Sequence, residues 1–190
     1  MRIREQTLWD VDQEFAGYGY GRPEYPPGLV RGITLPEPVA GRRPTIDCCS
    51  FVEAVVVGAF QREHGDGALL SLASHRLWMI HDVERHRFGP VDVAIADGYA
   101  DPVMLCDVPH TPCVFQGWTK RGKGAKGHTI LIMDYDSETD RCLTREAAGS
   151  LRGVGSRGVR KGQDWRFHGI TWEDLIALWP DYRAALIRTT

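Results

Sequence analysis

The spacing of apolar residues changes once along this chain, and that change constrains the fold more than any other feature. Between residues 51 and 60 apolar side chains recur every three or four positions, which is the period of a helix with a buried face. Beyond Gly98 short runs rich in β-branched and aliphatic residues are separated by turn-forming residues, which is typical of strands. Helices followed by consecutive short strands predict an α+β fold with an antiparallel sheet.

The boundaries of the predicted elements follow from caps and breakers. Two helices are predicted first, from Asp47 to about His64 and from about Ala68 to His81. The run after Pro90 fits a third short helix or a strand, and we favour the helix. Four strands follow: 103–105, 113–116, 128–133 and 141–144, with a hairpin turn at 134–140. Thr171 and Asp174 form a capping-box-like start for a terminal helix, which Pro180 kinks or restarts.

The length of 190 residues fits one domain with its own hydrophobic core. Residues 1–45 contain Gly- and Pro-rich runs such as Gly17-Tyr18-Gly19-Tyr20-Gly21, which predict an irregular N-terminal arm with little regular structure. Residues 46–190 are predicted to form the folded domain.

Charge and cysteine content exclude several classes of partner. A net charge of −2 gives no electrostatic reason to expect nucleic acid. No apolar run has the form of a secretory signal or reaches transmembrane length, which predicts synthesis in the cytoplasm without a signal peptide and without a membrane span. A role beyond the membrane would then need another exit, such as lysis, a virion or a contractile injection device. Five cysteines, two of them adjacent, predict reduced thiols rather than a disulfide framework.

Cys48 lies in the first turn of the first predicted helix. The unpaired N–H groups and the macrodipole at a helix N-terminus stabilise a thiolate, and the same N–H groups can donate to a tetrahedral oxyanion. Cys48 is therefore the candidate nucleophile. A free cysteine beside apolar residues is also commonly a small buried hydrophobe, so position alone leaves both interpretations open.

His128 and Glu146 are the candidate partners of this thiol. His128 opens a strand after a basic, Gly-rich loop, which places an imidazole at the edge of the sheet as a candidate base. An isolated histidine at such a position is more often a surface residue. Glu146 lies just past the next predicted strand, so the hairpin would bring it alongside His128 as the carboxylate that orients the ring.

Other candidates concern substrate and metal. Trp118 is predicted to line a cleft, because it lies just before the basic loop and His128. Cys106, His110 and Cys113 include no Cys-x-x-Cys pair, so no metal site is expected.

Two motifs carry a family resemblance. The run Asp47-Cys48-Cys49-Ser50-Phe51-Val52 resembles the Asp-Cys-Ser-Gly-Phe/Leu-Val motif of the NlpC-type (NlpC/p-sixty) cell-wall cysteine peptidases, and Gly127-His128-Thr129-Ile130-Leu131-Ile132 resembles their Gly-His-Val-Gly-Ile-Tyr strand. The run Arg141-Cys142-Leu143-Thr144-Arg145-Glu146 is similar to the related CHAP amidases, in which a Glu and then an Asn follow the histidine strand. The resemblance covers roughly residues 45–150.

The chain departs from the family pattern at several positions. Cys49 replaces the usual Ser, Ser50 the usual Gly, and Ala148 stands where Asn would complete the CHAP pattern. Cys49 therefore competes with Cys48 as nucleophile, although the ungapped match favours Cys48. The family's tyrosine on the oxyanion side has no clear match among Tyr18, Tyr20 and Tyr25.

The resemblance implies a papain-like fold and hydrolysis of amide bonds in peptidoglycan stem peptides, without a metal or an organic cofactor. Lys120 and Lys123 in the basic loop would then bind a stem-peptide carboxylate. Without a signal segment, we expect delivery by a phage tail, a gene-transfer particle or an injection system, to the virion or the periplasm. Two alternatives stay open: an acyltransferase or transglutaminase-like enzyme of the same fold, and a non-catalytic particle or scaffold component.

Overall fold

The computed structural model describes residues 1–22, 43–79, 88–103, 109–120 and 124–190. The α-helices in these ranges are α1 Glu5–Glu14, α2 Cys48–His64, α3 Leu72–Trp78, α4 Gly89–Ala96, α5 Trp165–His168 and α6 Trp172–Leu178. The strands are β1 Gly19–Tyr20, β2 Thr45–Ile46, β3 Ala100–Pro102, β4 Cys113–Trp118, β5 Gly127–Asp136, β6 Arg141–Ala148, β7 Gly153–Gly155, β8 Ile170–Thr171 and β9 Asp181–Ile187.

A seven-stranded sheet organises the molecule. Its strands follow the order β3-β9-β4-β5-β6-β7, and β8 pairs with β6. Every pair in this sheet is antiparallel, whereas β1 and β2 form a separate parallel pair. The predicted α+β class with a large antiparallel sheet is therefore confirmed.

Side chains from the two faces of the sheet enter different cores. Leu131 of β5 packs in the larger cluster with α1, α2 and α4, whereas its neighbours Ile130 and Ile132 pack in a second cluster beneath α6. This alternation is the two-residue period of a strand buried on both faces. Helices on both faces thus leave the ends of the central strands as the places where polar side chains can gather.

Helix α2 is confirmed with the predicted start. The Asp47 carboxylate accepts a hydrogen bond of 2.8 Å from the Ser50 N–H, which caps the first turn, and Gly65 ends the helix with a positive φ of 73°. Its Phe and Val side chains between Phe51 and Phe60 are buried, each contributing about 1.5–3 kcal/mol. The cap and this burial together fix Cys48 at the first helical position.

The expected irregular arm is wrong for residues 1–22. Helix α1 lies there, and Leu8, Val11 and Phe15 are buried in the larger core. The fully buried Asp12 accepts hydrogen bonds from Arg145 Nε at 2.8 and 2.9 Å, which ties α1 to β6. This N-terminal segment is part of the folded body. Residues 23–42 of the predicted arm lie outside the described residues.

The other predicted helices match the structure in type, but not all of them match in their bounds. Helix α4 is confirmed, and the predicted second helix is shorter than expected, since α3 begins at Leu72 after a 3-10 turn, Asp66–Ala68. The predicted strand 103–105 lies largely outside the described residues. Helix α6 begins as predicted, because the Thr171 hydroxyl accepts a hydrogen bond of 3.1 Å from the Asp174 N–H.

The chain does not end in that helix. After Pro180 the strand β9 inserts between β3 and β4 in the sheet. Sequence analysis missed this strand. None of the helices in the ranges given above combines the length and the apolar character needed to cross a membrane.

Candidate active site

The two adjacent cysteines have different partners. Cys48 is the first residue of α2, is 6% exposed and hydrogen-bonds with His128 at the start of β5. Cys49 Sγ lies 3.2 Å from the hydroxyl oxygen of Thr129. Successive residues of a helix diverge by about 100°, and successive residues of a strand point to opposite sides. The helix start and the strand start therefore meet as two separate pairs.

This arrangement distinguishes the two thiols chemically. Burial raises the pKa of Cys49 well above its usual value, and the hydrogen bond with Cys48 raises it further. A buried thiol with a raised pKa stays protonated at neutral pH and is a poor nucleophile. The raised pKa of Cys49 and the hydrogen bond between Cys48 and His128 therefore favour Cys48 over Cys49 in the competition that the sequence left open.

His128 connects Cys48 to a carboxylate. Its Nε2–H donates to Glu146 Oε2 at 2.6 Å, which leaves Nδ1 as the ring nitrogen for Cys48. Burial lowers the pKa of His128, but the hydrogen bonds with Cys48 and Glu146 outweigh it and raise the pKa to about 9. At neutral pH the ring of His128 is therefore an imidazolium.

Glu146 is held at both oxygens. It is fully buried near the end of β6, and Arg157 Nε donates to Oε1 at 2.9 Å while Arg157 Nη2 donates to Oε2 at 2.5 Å. Burial raises the pKa of Glu146, but His128 and Arg157 together hold it below its usual value. The carboxylate is thus ionised, and the structure brings together the three residues expected to act: Cys48, His128 and Glu146.

Two residues at this site were missed by sequence reasoning. The Trp179 ring stacks on the His128 ring, with centroids 5.2 Å apart and planes 26° apart, and the Arg157 guanidinium carbon lies 5.0 Å from the Trp179 centroid. Gly117 makes room for this indole, since a Cβ there would fall 2.3 Å from Trp179 Cβ. Both residues follow Glu146 along the chain, outside the stretch that carried the motifs, so no local pattern indicated them.

Tyr20 lies within electrostatic range of Cys48. Burial raises the pKa of Tyr20, and negative charge at Cys48 and at Asp47 raises it further. The residue is 46% exposed, and a Cβ on Gly149 would meet its ring at 3.5 Å. Tyr25, which was also considered from sequence, lies outside the described residues.

The predicted substrate-binding residues were Trp118, Lys120 and Lys123. Trp118 does not line a cleft: it is 1% exposed, and a Cβ on Gly127 would meet its ring at 2.6–2.9 Å. Its position at the end of β4 between two neighbouring strands buries the ring in the core, which corrects the prediction. Lys120 is exposed in the following loop, and Lys123 lies outside the described residues.

Part of the metal candidate considered from sequence lies outside the described residues. Cys113 is buried in β4, where burial raises the pKa of its thiol to about 12. Cys106 lies outside the described residues. Within the part of the chain that the structure describes, no three His, Cys, Asp or Glu side chains are grouped so as to hold a metal ion.

Comparisons of this chain with protein-family models, with curated proteins and with solved structures found no match.

Proposed function

We propose that this protein is a cysteine peptidase or amidase of papain-like architecture that hydrolyses amide bonds in peptidoglycan stem peptides. One observation carries the proposal: Cys48 at a helix N-terminus, His128 and Glu146 form a continuous hydrogen-bonded chain. A thiol, a base and a group that orients the base are the three parts that covalent amide hydrolysis requires.

The proposed reaction has two halves, formation of a thioester on Cys48 and its hydrolysis, and His128 transfers a proton in each. The Cys48 thiolate attacks the amide carbonyl carbon, and the carbonyl oxygen becomes a tetrahedral oxyanion beside the N–H groups of the first turn of α2. The imidazolium of His128 protonates the leaving amine as the C–N bond breaks, which leaves a thioester on Cys48. His128 then takes a proton from water, the water oxygen attacks the thioester, and the carboxylic acid and the thiol are released.

The arrangement of secondary structure supports the papain-like part of the proposal. The thiol begins a helix that packs on an antiparallel sheet, the histidine opens one central strand, and the carboxylate lies on the next strand. The motifs around Cys48 and His128 resemble those of the NlpC-type peptidases in the same order, and this resemblance is the basis for proposing peptidoglycan as the substrate. Delivery with a phage-like particle or an injection system remains part of the same proposal.

The test is an assay of purified peptidoglycan with the native protein, Cys48→Ala and Cys49→Ala. We expect the native protein to release new amino groups, Cys48→Ala to lose at least about 10³-fold in rate, and Cys49→Ala to stay within a few-fold of native. Full activity of Cys48→Ala would refute the assignment. Products in which an added amine replaces water would favour the acyltransferase alternative, and an inactive native protein would favour the scaffold alternative.

A further inference from the structure

We propose that Arg157 is a positioning residue that fixes the Glu146 carboxylate, and through it the His128 ring, in the orientation needed for reaction at Cys48. Arg157 acts on Glu146 and does not touch the reacting atoms. The inference deepens the proposed function and rests on it for the role of Cys48 as the reacting thiol.

Arg157 makes a two-point contact with Glu146. Arg157 donates from Nε to Glu146 Oε1 at 2.9 Å and from Nη2 to Oε2 at 2.5 Å. Two parallel N–H···O bonds fix the plane of a carboxylate, which a single contact cannot do. With that plane fixed, Oε2 is held where it accepts from His128 Nε2 at 2.6 Å. One oxygen of Glu146 therefore joins the arginine to the histidine.

Arg157 is itself held in place by contacts with other residues. Its backbone N–H donates to the Thr144 hydroxyl at 3.0 Å, and its guanidinium lies over Trp179. Trp179 in turn stacks on His128. The guanidinium and the imidazole thus share one indole as a support, and Arg157 keeps only 22% of its side chain exposed. A surface arginine with a merely solvating role would need none of these contacts.

The charges around Glu146 support the same role. His128 faces Cys48 from α2 and Glu146 from β6, and Trp179, which packs on it at the end of α6, carries no charge. Glu146 faces His128 and Arg157. The carboxylate therefore lies between the imidazole of His128 and the guanidinium of Arg157. Arg157 stabilises the ionised Glu146, and it also limits how strongly that carboxylate holds the proton on His128.

Two variants test the proposal against a matched control. Arg157→Gln removes the charge and one arm of the two-point contact, Arg157→Lys keeps the charge without the planar fork, and Arg160→Gln changes an exposed arginine of the same segment. The readouts are the turnover of peptidoglycan fragments and the pKa of His128, measured by NMR titration of its ring protons and assigned with a His128→Gln variant. The NMR readout does not depend on activity.

We expect Arg157→Gln to lose about 10–100-fold in turnover and to raise the pKa of His128 by about half a unit to one unit. Arg157→Lys should lose about 3–10-fold in turnover and shift the pKa of His128 less, because lysine keeps the charge but not the bidentate geometry. Arg160→Gln should match the native protein in turnover and in the pKa of His128. A role in stability alone would lower the unfolding temperature without moving the pKa of His128.

The proposal is overturned if Arg157→Gln, or Arg157→Lys where the Gln variant does not fold, keeps the native turnover and the native His128 pKa. If the native protein hydrolyses no peptidoglycan, the proposed function fails, but the NMR shifts still decide the role of Arg157. If the native protein is active and the variants are indistinguishable from it, only the role of Arg157 fails.

Discussion

Within the described residues two buried Glu–His pairs are hydrogen-bonded, and they differ in what surrounds them. The site pair consists of Glu146 and His128, joined at 2.6 Å, and the helix pair consists of Glu53 of α2 and His75 of α3, joined at 2.5 Å. All four side chains are largely or fully buried. Residue type, distance and burial therefore do not separate them.

The surroundings separate them instead. Burial raises the pKa of Glu53, and its hydrogen bond with His75 only partly offsets this. Glu146 is equally buried, yet its pKa is lowered, because Arg157 adds a second positive partner to His128. His128 also reaches Cys48 on its other side. A buried Glu–His contact thus becomes a candidate catalytic group only when a reactive thiol lies at one end and the carboxylate is kept ionised at the other.

The largest expected difference between the pairs concerns the histidines. His128→Gln keeps a hydrogen-bond donor for Glu146 but removes the base, so turnover of peptidoglycan should fall about 10³-fold. His75→Gln keeps a donor for Glu53 and should leave turnover within about twofold, at a cost of about 1–2 kcal/mol in the free energy of unfolding. Steady-state rates and urea unfolding check both. Equal losses of turnover in the two variants would contradict the distinction.

The glutamates should show a smaller difference. Glu146→Gln removes the charge that orients and stabilises the imidazolium, and we expect a loss of about 10²-fold in turnover and a lower pKa of His128. Glu53→Gln should leave the rate unchanged, since Glu53 pairs with His75 of α3. Rates measured at pH 7 test this directly. A Glu53→Gln variant as slow as Glu146→Gln would show that the helix pair also supports the reaction.

The smallest effect concerns stability against pH. Because the pKa of Glu53 is raised above its usual value of 4.5, its contribution to stability is fully present below pH 4.5 and is lost as pH rises through the folded-state pKa. The lowered pKa of Glu146 gives the opposite sign: its contribution is present above pH 4.5 and is lost on acidification.

Urea unfolding at several pH values between 3 and 7, for the native protein and the two glutamine variants, measures these slopes. Over the pH window in which its glutamate titrates, each variant should differ from the native protein by on the order of 1 kcal/mol in the free energy of unfolding. The difference between native and variant should change with pH in opposite directions for Glu53→Gln and Glu146→Gln. A change in the same direction would contradict the assigned pKa shifts.

Local signals explain what could be predicted from the sequence. The start of α2 follows from a capping Asp and a run of helical apolar spacing, and both lie within a few residues of Cys48. His128 follows from the opening of a strand after a Gly-rich loop. Glu146 follows from the hairpin of β5 and β6, although the register shifts at an irregularity between Ile132 and Asp134.

Long-range contacts explain what could not be predicted. Helix α1 buries Thr7 and Asp12 along with its apolar residues, and Asp12 is acceptable there only because Arg145 reaches it from β6. Strand β9 owes its place to pairing with β3 and β4 on either side. Arg157 and Trp179 join the site through contacts with Glu146 and His128 that no spacing in the sequence encodes.

The most direct test of the central claim is the rate of iodoacetamide alkylation against pH, with the modified residue identified by mass spectrometry, for the native protein and His128→Gln. We expect Cys48 to be the first cysteine alkylated, with a midpoint pH well below the value of about 8.5 for an ordinary thiol. In His128→Gln that midpoint should rise toward the ordinary value. A native midpoint near 8.5, or first alkylation at another cysteine, would contradict the assignment of Cys48 and His128 as a reactive pair.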